Sequence, residues 1–385
     1  PTTMGAKEFV FCSNDAGIIS FISPSTPLSS NTNNIEVLLS NQGSNPLTSV
    51  SIAWSVNGVV QTPFTWTGNL ASNNTTNVTI ASNYTFSGAS IYNLQTWVEN
   101  PNGVADCNAY NDTTQLNNLV TSLCGTYTLG GTNPDFTSFS ELSTILNNAG
   151  LTCPTTINVR DGVYDDQLII SNIPGNSFAN TLTIKGESGD SSLVTLQHAN
   201  TATHLLFSLN NIKGITLKDM TFFNNSSGSS HESFLITNCD SVNVTNCRFE
   251  SKYSSSSAHK LRIENSTGCN ITNNDFSYSA CIRLIASSTS IYNTVNITGN
   301  NNIRGYNGIY IASNTNGALG GKFIIKNNNI YGCYYSLHIY NISSNNSNDT
   351  LLITGNSIDG FGTGRNKFNC GDQDYVVVKE NIFNN

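Results

Sequence analysis

Between Ile215 and Asn385 one short pattern recurs seven times, and that regularity narrows the folds open to the chain more than any other feature. The copies begin at Ile215, Val242, Cys269, Val295, Phe323, Leu351 and Val376, with start-to-start spacings of 27, 27, 26, 28, 28 and 25 residues. A period of this length marks a solenoid, in which no unit can bury its own apolar face and each is completed by its neighbours. Positions one and three are apolar, as in Val242/Val244, Cys269/Ile271, Val295/Ile297 and Leu351/Ile353. Position four is Thr or Lys, so the period is two and each copy reads as a strand with one inward face.

Position six is Asn in five consecutive copies: Asn274, Asn300, Asn328, Asn356 and Asn381. Asn suits a tight corner, and identical amides stacked coil on coil can bond one another in a ladder. Position eight returns to a large apolar residue in most copies, as in Phe222, Phe249, Phe276, Ile330, Ile358 and Phe383. A second strand recurs within each period: Leu261–Ile263, Ile282–Leu284, Ile309–Ile311 and Leu337–Ile339. Strand, Asn corner, strand and loop in parallel succession predict an all-β chain built on a right-handed parallel β-helix. These repeats resemble those of the pectate-lyase-like superfamily. That resemblance specifies fold and leaves activity open, because the fold hosts lyases, hydrolases, esterases, adhesins and tailspikes.

Residues 1–120 read as a β-sandwich. Val50, Ile52, Trp54 and Val56 alternate with smaller or polar residues, and Asn57-Gly58 predicts a type I′ hairpin turn. Ile18–Ile22, Ile35–Leu39, Val78–Ile80 and Leu94–Val98 are further short strands. Asp15-Ala-Gly-Ile18, Asn41-Gln-Gly43, Trp54–Gly58 and the closing Asn111-Asp112 resemble the CARDB family, an immunoglobulin-like module named for bacterial cell adhesion. Trp54, Trp66 and Trp97 read as core rather than as a sugar platform. Residues 121–385 read as the β-helix. It opens with a capping-box helix (Ser138-x-x-Glu141) that plugs its end, and it breaks off at Asn385, as a window on a longer protein would. Ile157–Tyr164 with Leu168–Ile170 is similar to the first coil of pectinesterases. It is also similar to β-helix modules of large surface proteins from bacteria with a type IX secretion system, which often follow CARDB-like units.

Only 10% of residues are charged, against an ordinary quarter, and the surface is Asn, Ser, Thr and Gly, which suits an extracellular or cell-surface protein. A net charge of −8 argues against nucleic-acid binding. No apolar run is long enough to insert into a membrane. Ten cysteines without metal spacing fit an oxidising compartment, with Cys124–Cys153 and Cys12–Cys107 as candidate bridges. Cys247 and Cys269 suit buried thiols as well as a bridge.

The chemistry is sparse. Neither pectinesterase motif, Asp-Phe-Ile-Phe-Gly or Leu-Gly-Arg-Pro-Trp, is present, and Asp219, Asp240 and Asp275 do not form a hydrolytic pair. The nearest lyase-like constellation is Lys260, Arg262, Asp275 and Arg283, beside Glu264. Arg262, Arg283, Tyr310 and His338 share one outward position of the second strand and form a candidate glycan-binding stripe. His198, His204, His231 and His259 have no metal or triad spacing. No cofactor is implied, except that Asp161, Asp165 and Asp166 would suit calcium. Asn243, Asn270 and Asn296 head Asn-x-Thr triplets in repeat strands. The resemblance to type IX-secreted proteins instead implies O-glycans at Thr113, Ser241 and Thr350. The reading is a non-catalytic extracellular module of a large surface adhesin or appendage. Its partners would be glycans, other surface proteins or copies of itself. A polysaccharide lyase or hydrolase acting on acidic glycans, or a pure glycan-binding module, stands as the alternative.

Overall fold

A computed structural model describes residues 12–26, 28, 32–86, 91–198, 205–225, 234–251, 261–276, 282–286, 291–304, 307–313, 320–333, 335–340, 350–359 and 375–384. The chain divides into two units, one through Ser122 and the other from Leu123. In the second, each coil contributes to three parallel ladders. Ladder one runs through ten strands, from Leu123–Leu129 and Leu151–Val159 to Thr350–Thr354 and Tyr375–Lys379. Ladder two begins with Gly162–Asp165, Val194–His198, Thr221–Asn224 and Arg248–Ser251, and continues through Asp275, Asn301 and Ile303 to Asn329–Ile330, Ser357–Asp359 and Ile382–Asn384. Ladder three is Leu168–Ser171, Phe207–Asn210, Phe234–Thr237, Leu261–Glu264, Ile282–Ala286, Asn307–Ser313 and Tyr335–Tyr340. This is a parallel β-helix. The period-two alternation explains its core: Leu182, Ile215, Val242, Cys269, Val295, Phe323 and Leu351 occupy one inward row of ladder one and are at most 1% exposed.

The corner between ladders one and two differs from the sequence expectation in one respect. The left-handed backbone falls at position five, not six. Asp219, Asn246, Asn273, Gly299, Asn327, Gly355 and Glu380 all have φ between 52° and 68°. Position six follows with its side chain inward. Gly alternates with Asn at position five because the amides lean onto the next coil. A Cβ on Gly299 would meet Asn273 Oδ1 at 2.4 Å, and one on Gly355 would meet Asn327 Oδ1 at 2.3 Å. The close approach, at a positive φ that glycine adopts without strain, favours glycine at these two coils.

With the turn made at position five, the position-six amides stack. Asn300 donates to Asn328 Oδ1 from its backbone N (3.0 Å) and its Nδ2 (2.9 Å), and Asn328 treats Asn356 in the same way at 2.9 Å for both bonds. The same pair of bonds joins Asn274 to Asn300 and Asn356 to Asn381. Each Nδ2 also donates to a carbonyl of the preceding coil, as Asn328 does to Ile297 O at 2.8 Å. The column ends on Cys247, whose N donates to Asn274 Oδ1 at 2.9 Å and whose thiol points at the carbonyls of Leu217 and Thr245. Asn274 to Asn356 are at most 1% exposed. A second left-handed Asn column, Asn172, Asn211, Asn238 and Asn265, turns the chain out of ladder three. Position eight packs as a stack of rings: Phe222–Phe249 at 5.4 Å and Phe249–Phe276 at 4.8 Å between centroids.

The helix Phe139–Asn148 lies along Leu168–Ser171, the first strand of ladder three. It buries Phe139, Leu142, Ile145 and Leu146. Its polar residues serve the otherwise unpaired strand edge: Ile169 N donates to Ser143 Oγ, Ser171 N to Asn147 Oδ1, and Asn147 Nδ2 to Ile169 O. An open edge would template further pairing, and the helix covers it. Ser138 Oγ caps the helix by accepting from Glu141 N, while the Glu141 carboxylate accepts from Thr137 N, one residue before the usual partner in a capping box. Cys124 is bonded to Cys153, linking the first two strands of ladder one.

The first unit packs two antiparallel sheets. Ala16–Ser23, Thr32–Asn41 and Thr75–Thr85 form one. Leu47–Val56, Val59–Val60, Phe64–Leu70, Ile91–Glu99 and Thr113–Val120 form the other. Ile35, Val37, Leu39, Ile52, Leu94 and Leu119 are core residues between them. Asn57 and Gly58 both have positive φ, as a type I′ turn demands. Trp54 is buried and donates its indole N–H to Thr62 O, Trp66 lies partly buried against the core, and the Trp97 indole donates to Glu99, so the three rings do not form a platform. Cys12 is bonded to Cys107.

Two predictions follow from the corner chemistry. Replacing Asn328 with Leu strands the Asn300 donors and the Ile297 carbonyl in the core. At ~1–3 kcal/mol for a buried polar group left unmatched, chemical denaturation should register a loss of at least that size, and an unchanged midpoint refutes the column's role. Burial pushes the thiols up, to about 11 at Cys239 and about 12 at Cys247 and Cys269. Iodoacetamide at pH 8 should therefore leave these three unmodified in the native protein and alkylate them after unfolding, as read by peptide mass mapping.

Candidate functional site: the outer face of ladder three

Along ladder three the apolar residues point inward, so the residues between them form outward rows. Strand register aligns Leu235, Arg262, Arg283, Tyr310 and His338 in one such row on successive coils, which lie roughly 4.8 Å apart. Flanking residues Leu261, Ile263, Ile282, Leu284, Ile309 and Ile311 are fully buried and hold the row rigidly. Arg262 Nη2 lies 2.6 Å from Glu264 Oε2, an ion pair between two outward positions of one strand. The Arg283 guanidinium sits over the Tyr310 ring, 5.1 Å from its centroid. Tyr310 meets His338 edge to face at 5.1 Å, and Tyr335 lies 4.9 Å from the same imidazole. All four stripe residues are half-buried. The result is a strip with a neutralised ion pair at one end and a cation on an aromatic platform further along. Such a strip offers planar donors to a carboxylate and ring faces to a sugar.

The lyase-like constellation is not brought together. Asp275 belongs to ladder two, bridged to Arg248 and Asn301, and its Oδ1 accepts from Asn302 Nδ2 at 2.7 Å. An entire ladder-one strand, Cys269–Thr272, separates it along the coil from Arg262. Lys260 lies outside the described residues. Asp219 is buried at a left-handed corner between Asn246 and Lys218, and Asp240 opens a ladder-one strand, so these two acids also sit away from Asp275.

The other sequence candidates separate in the same way. The Asp166 carboxylate accepts from Ser140 N and Ser140 Oγ at the start of the helix and from Gln167 N. Asp165 pairs with His198 at 3.2 Å. Asp161, Asp165 and Asp166 therefore do not converge on one ion, which corrects the calcium expectation at this turn. His204, His231 and His259 lie outside the described residues. Thr113 is exposed, whereas Ser241 and Thr350 are half-buried within the coils. Asn243, Asn270 and Asn296 form a second amide row that the sequence did not reveal, on the outer face of ladder one. Asn270 Nδ2 donates to Asn243 Oδ1 at 2.8 Å and Asn296 Nδ2 to Asn270 Oδ1 at 2.6 Å. The only sequence signal for it was Asn at position two in three consecutive copies.

No protein-family model matches the chain, and no curated protein matches it. Among solved structures it is similar to a domain assigned to a cell surface protein of Methanosarcina acetivorans, at 29% identity over 28% of this chain and 93% of that one, with a TM-score of 0.24. It is similar to the CARDB domain of a Pyrococcus furiosus protein in complex with di-metal ions, at 19% identity over 29% and 94%, with a TM-score of 0.23. It is also similar to a family 28 exopolygalacturonase of Yersinia enterocolitica, at 10% identity over 95% and 85%, with a TM-score of 0.41.

Proposed function

We propose that the chain is a non-catalytic extracellular module of a large bacterial surface adhesin or appendage, with the solenoid as a rigid stalk that presents a glycan-contacting face. The observation that carries this reading is the outward row Arg262, Arg283, Tyr310 and His338, in which cation and ring faces recur at coil spacing. Two disulfides, one in each unit, agree with an oxidising compartment. The sequence resemblance to surface proteins of bacteria with a type IX secretion system supports export by that route. The second reading is a lyase acting on uronate polymers. It is favoured by the cations on the same face, but among the described residues no carboxylate set adjoins them, since Glu264 is held by Arg262 and Asp275 lies on another ladder.

A glycan array and a turnover screen on uronate polymers distinguish the two. Binding to carboxylated glycans should weaken about tenfold or more in Tyr310→Ala, the equivalent of ~1.4 kcal/mol. Neither unsaturated product nor new reducing ends should accumulate. Turnover that is lost in both Lys260→Ala and Arg283→Ala, with the fold intact, overturns the proposal in favour of the lyase. Absence of any glycan binding removes the stripe's assigned role.

A further inference from the structure

The outer face of the five-stranded sheet in the first unit carries a groove of about 350 Å³. That volume is near the lower end of the roughly 300–1,000 Å³ of small-ligand clefts. Strand register sets Val60, Ser55, Gln95 and Gln115 side by side in one row across four strands. Ser55 is the smallest of the four and forms the floor. Two pinned turns bound the groove. One is the hairpin Asn57-Gly58: Asn93 N donates to Asn57 Oδ1 at 2.8 Å, and Asn57 Nδ2 donates to Ile91 O at 3.2 Å. The other is a β-bulge, where one extra residue in Thr113–Val120 lies opposite Asn93. Asn118 is left-handed there, with φ 57°, and its N donates to Asn93 Oδ1 at 3.0 Å. Bulges re-aim side chains, and Asn117 and Asn118 both line the groove.

The polar side chains of this lining are amides and a hydroxyl, and none of its residues is ionisable. Asn57 and Asn93 spend their side chains on the turns. The Gln95, Gln115 and Asn117 amides and the Ser55 hydroxyl bond to no other part of the described protein. For Ser55 this is unusual, because the residue is only 4% exposed and buried polar groups are ordinarily matched. Each of these four groups can both donate and accept. An ion would find no countercharge among them, and an apolar ligand would leave them unmatched. A ligand that is uncharged and carries adjacent hydroxyls matches them. One row further along the same face, register sets Trp97 between Ala53 and Thr113. Its indole N–H is held by Glu99 Oε1 at 2.8 Å, and the ring is half-buried. Trp97 stands there without Trp54 or Trp66. A single ring beside a row of amides still offers an apolar surface to the C–H face of a sugar.

We infer that this groove is a subsite for a neutral saccharide, with Ser55, Gln95, Gln115 and Asn117 bonding its hydroxyls and Trp97 meeting an adjoining sugar ring. It is separate from the ladder-three row, which offers cations to carboxylated glycans. The probes are uncharged trisaccharides of glucose, mannose and galactose, each titrated calorimetrically into the full chain. At least one should bind saturably at a single site. The double variant Gln95→Ala/Gln115→Ala should weaken that binding about tenfold or more at unchanged Tm. Ser55→Leu, which fills the floor, should abolish it, while Thr79→Ala on the opposite sheet should leave it as it is. Should Ser55→Leu fail to fold, the glutamine variant decides, since both amides lie outside the core. Excess trigalacturonate should not displace the neutral sugar, so a failure of the ladder-three row has no bearing on this result. No heat with any of the three probes overturns the site, as does binding that survives in the double variant. Displacement by trigalacturonate overturns the assignment to neutral sugars.

Discussion

The solenoid depends on one bonding pattern at the corner between ladders one and two. Where the chain turns sharply, a peptide N–H is freed from the ladder and buried. The Asn Oδ1 of the next coil accepts that N–H together with the neighbouring amide N–H, while its own Nδ2 reaches back to the preceding coil. One side chain thus satisfies three polar groups of the neighbouring coil. Buried backbone groups must be matched somewhere, and an inward amide at a constant place in every coil matches them with the same geometry each time. That explains why the period strays only between 25 and 28 residues. Variation in length is absorbed in the loops, and none of it can fall between position one and position six.

The same requirement explains which features of the fold could be read from sequence. Apolar positions one and three and the Asn at position six recur in residue type, because the core and the column demand a particular chemistry. Position five recurs only in backbone conformation. Asp219, Asn246, Gly299 and Glu380 share a left-handed φ but no side-chain chemistry, so their common role was hidden. Cys247 was hidden for the opposite reason: it stands in the Asn column and hands its N–H to Asn274, yet its sulfur does not resemble an amide. In the first unit, Phe64–Leu70 and Thr113–Val120 escaped because alternation there runs through Thr, Asn and Gly rather than through a clear apolar face.

The candidate site was only partly legible for a related reason. Spacing by one period identifies residues that share a row, and the alignment of Arg262, Arg283, Tyr310 and His338 depends on that alone. Spacing of half a period does not say which ladder a residue joins. Asp275 follows Arg262 by 13 residues and looks near in sequence, but two corners and a strand intervene.

The solenoid separates structural from functional demand in a way that bears on how it would bind. Inward positions and corners are spoken for by the core and by the Asn columns, so substitutions on the outward rows cost little stability. Any chemistry placed in such a row has neighbours roughly 4.8 Å away on both sides. A contact worth little by itself, such as one guanidinium or one ring, becomes one of several along a rigid line. A polymer engaging two of them finds the second already at high effective concentration. That arithmetic favours weak contacts multiplied along the row over a single deep pocket. Arg283 over the Tyr310 ring, and Tyr310 edge to face with His338, then serve as mutual supports that fix each side chain before a ligand arrives, lowering the entropy lost on binding.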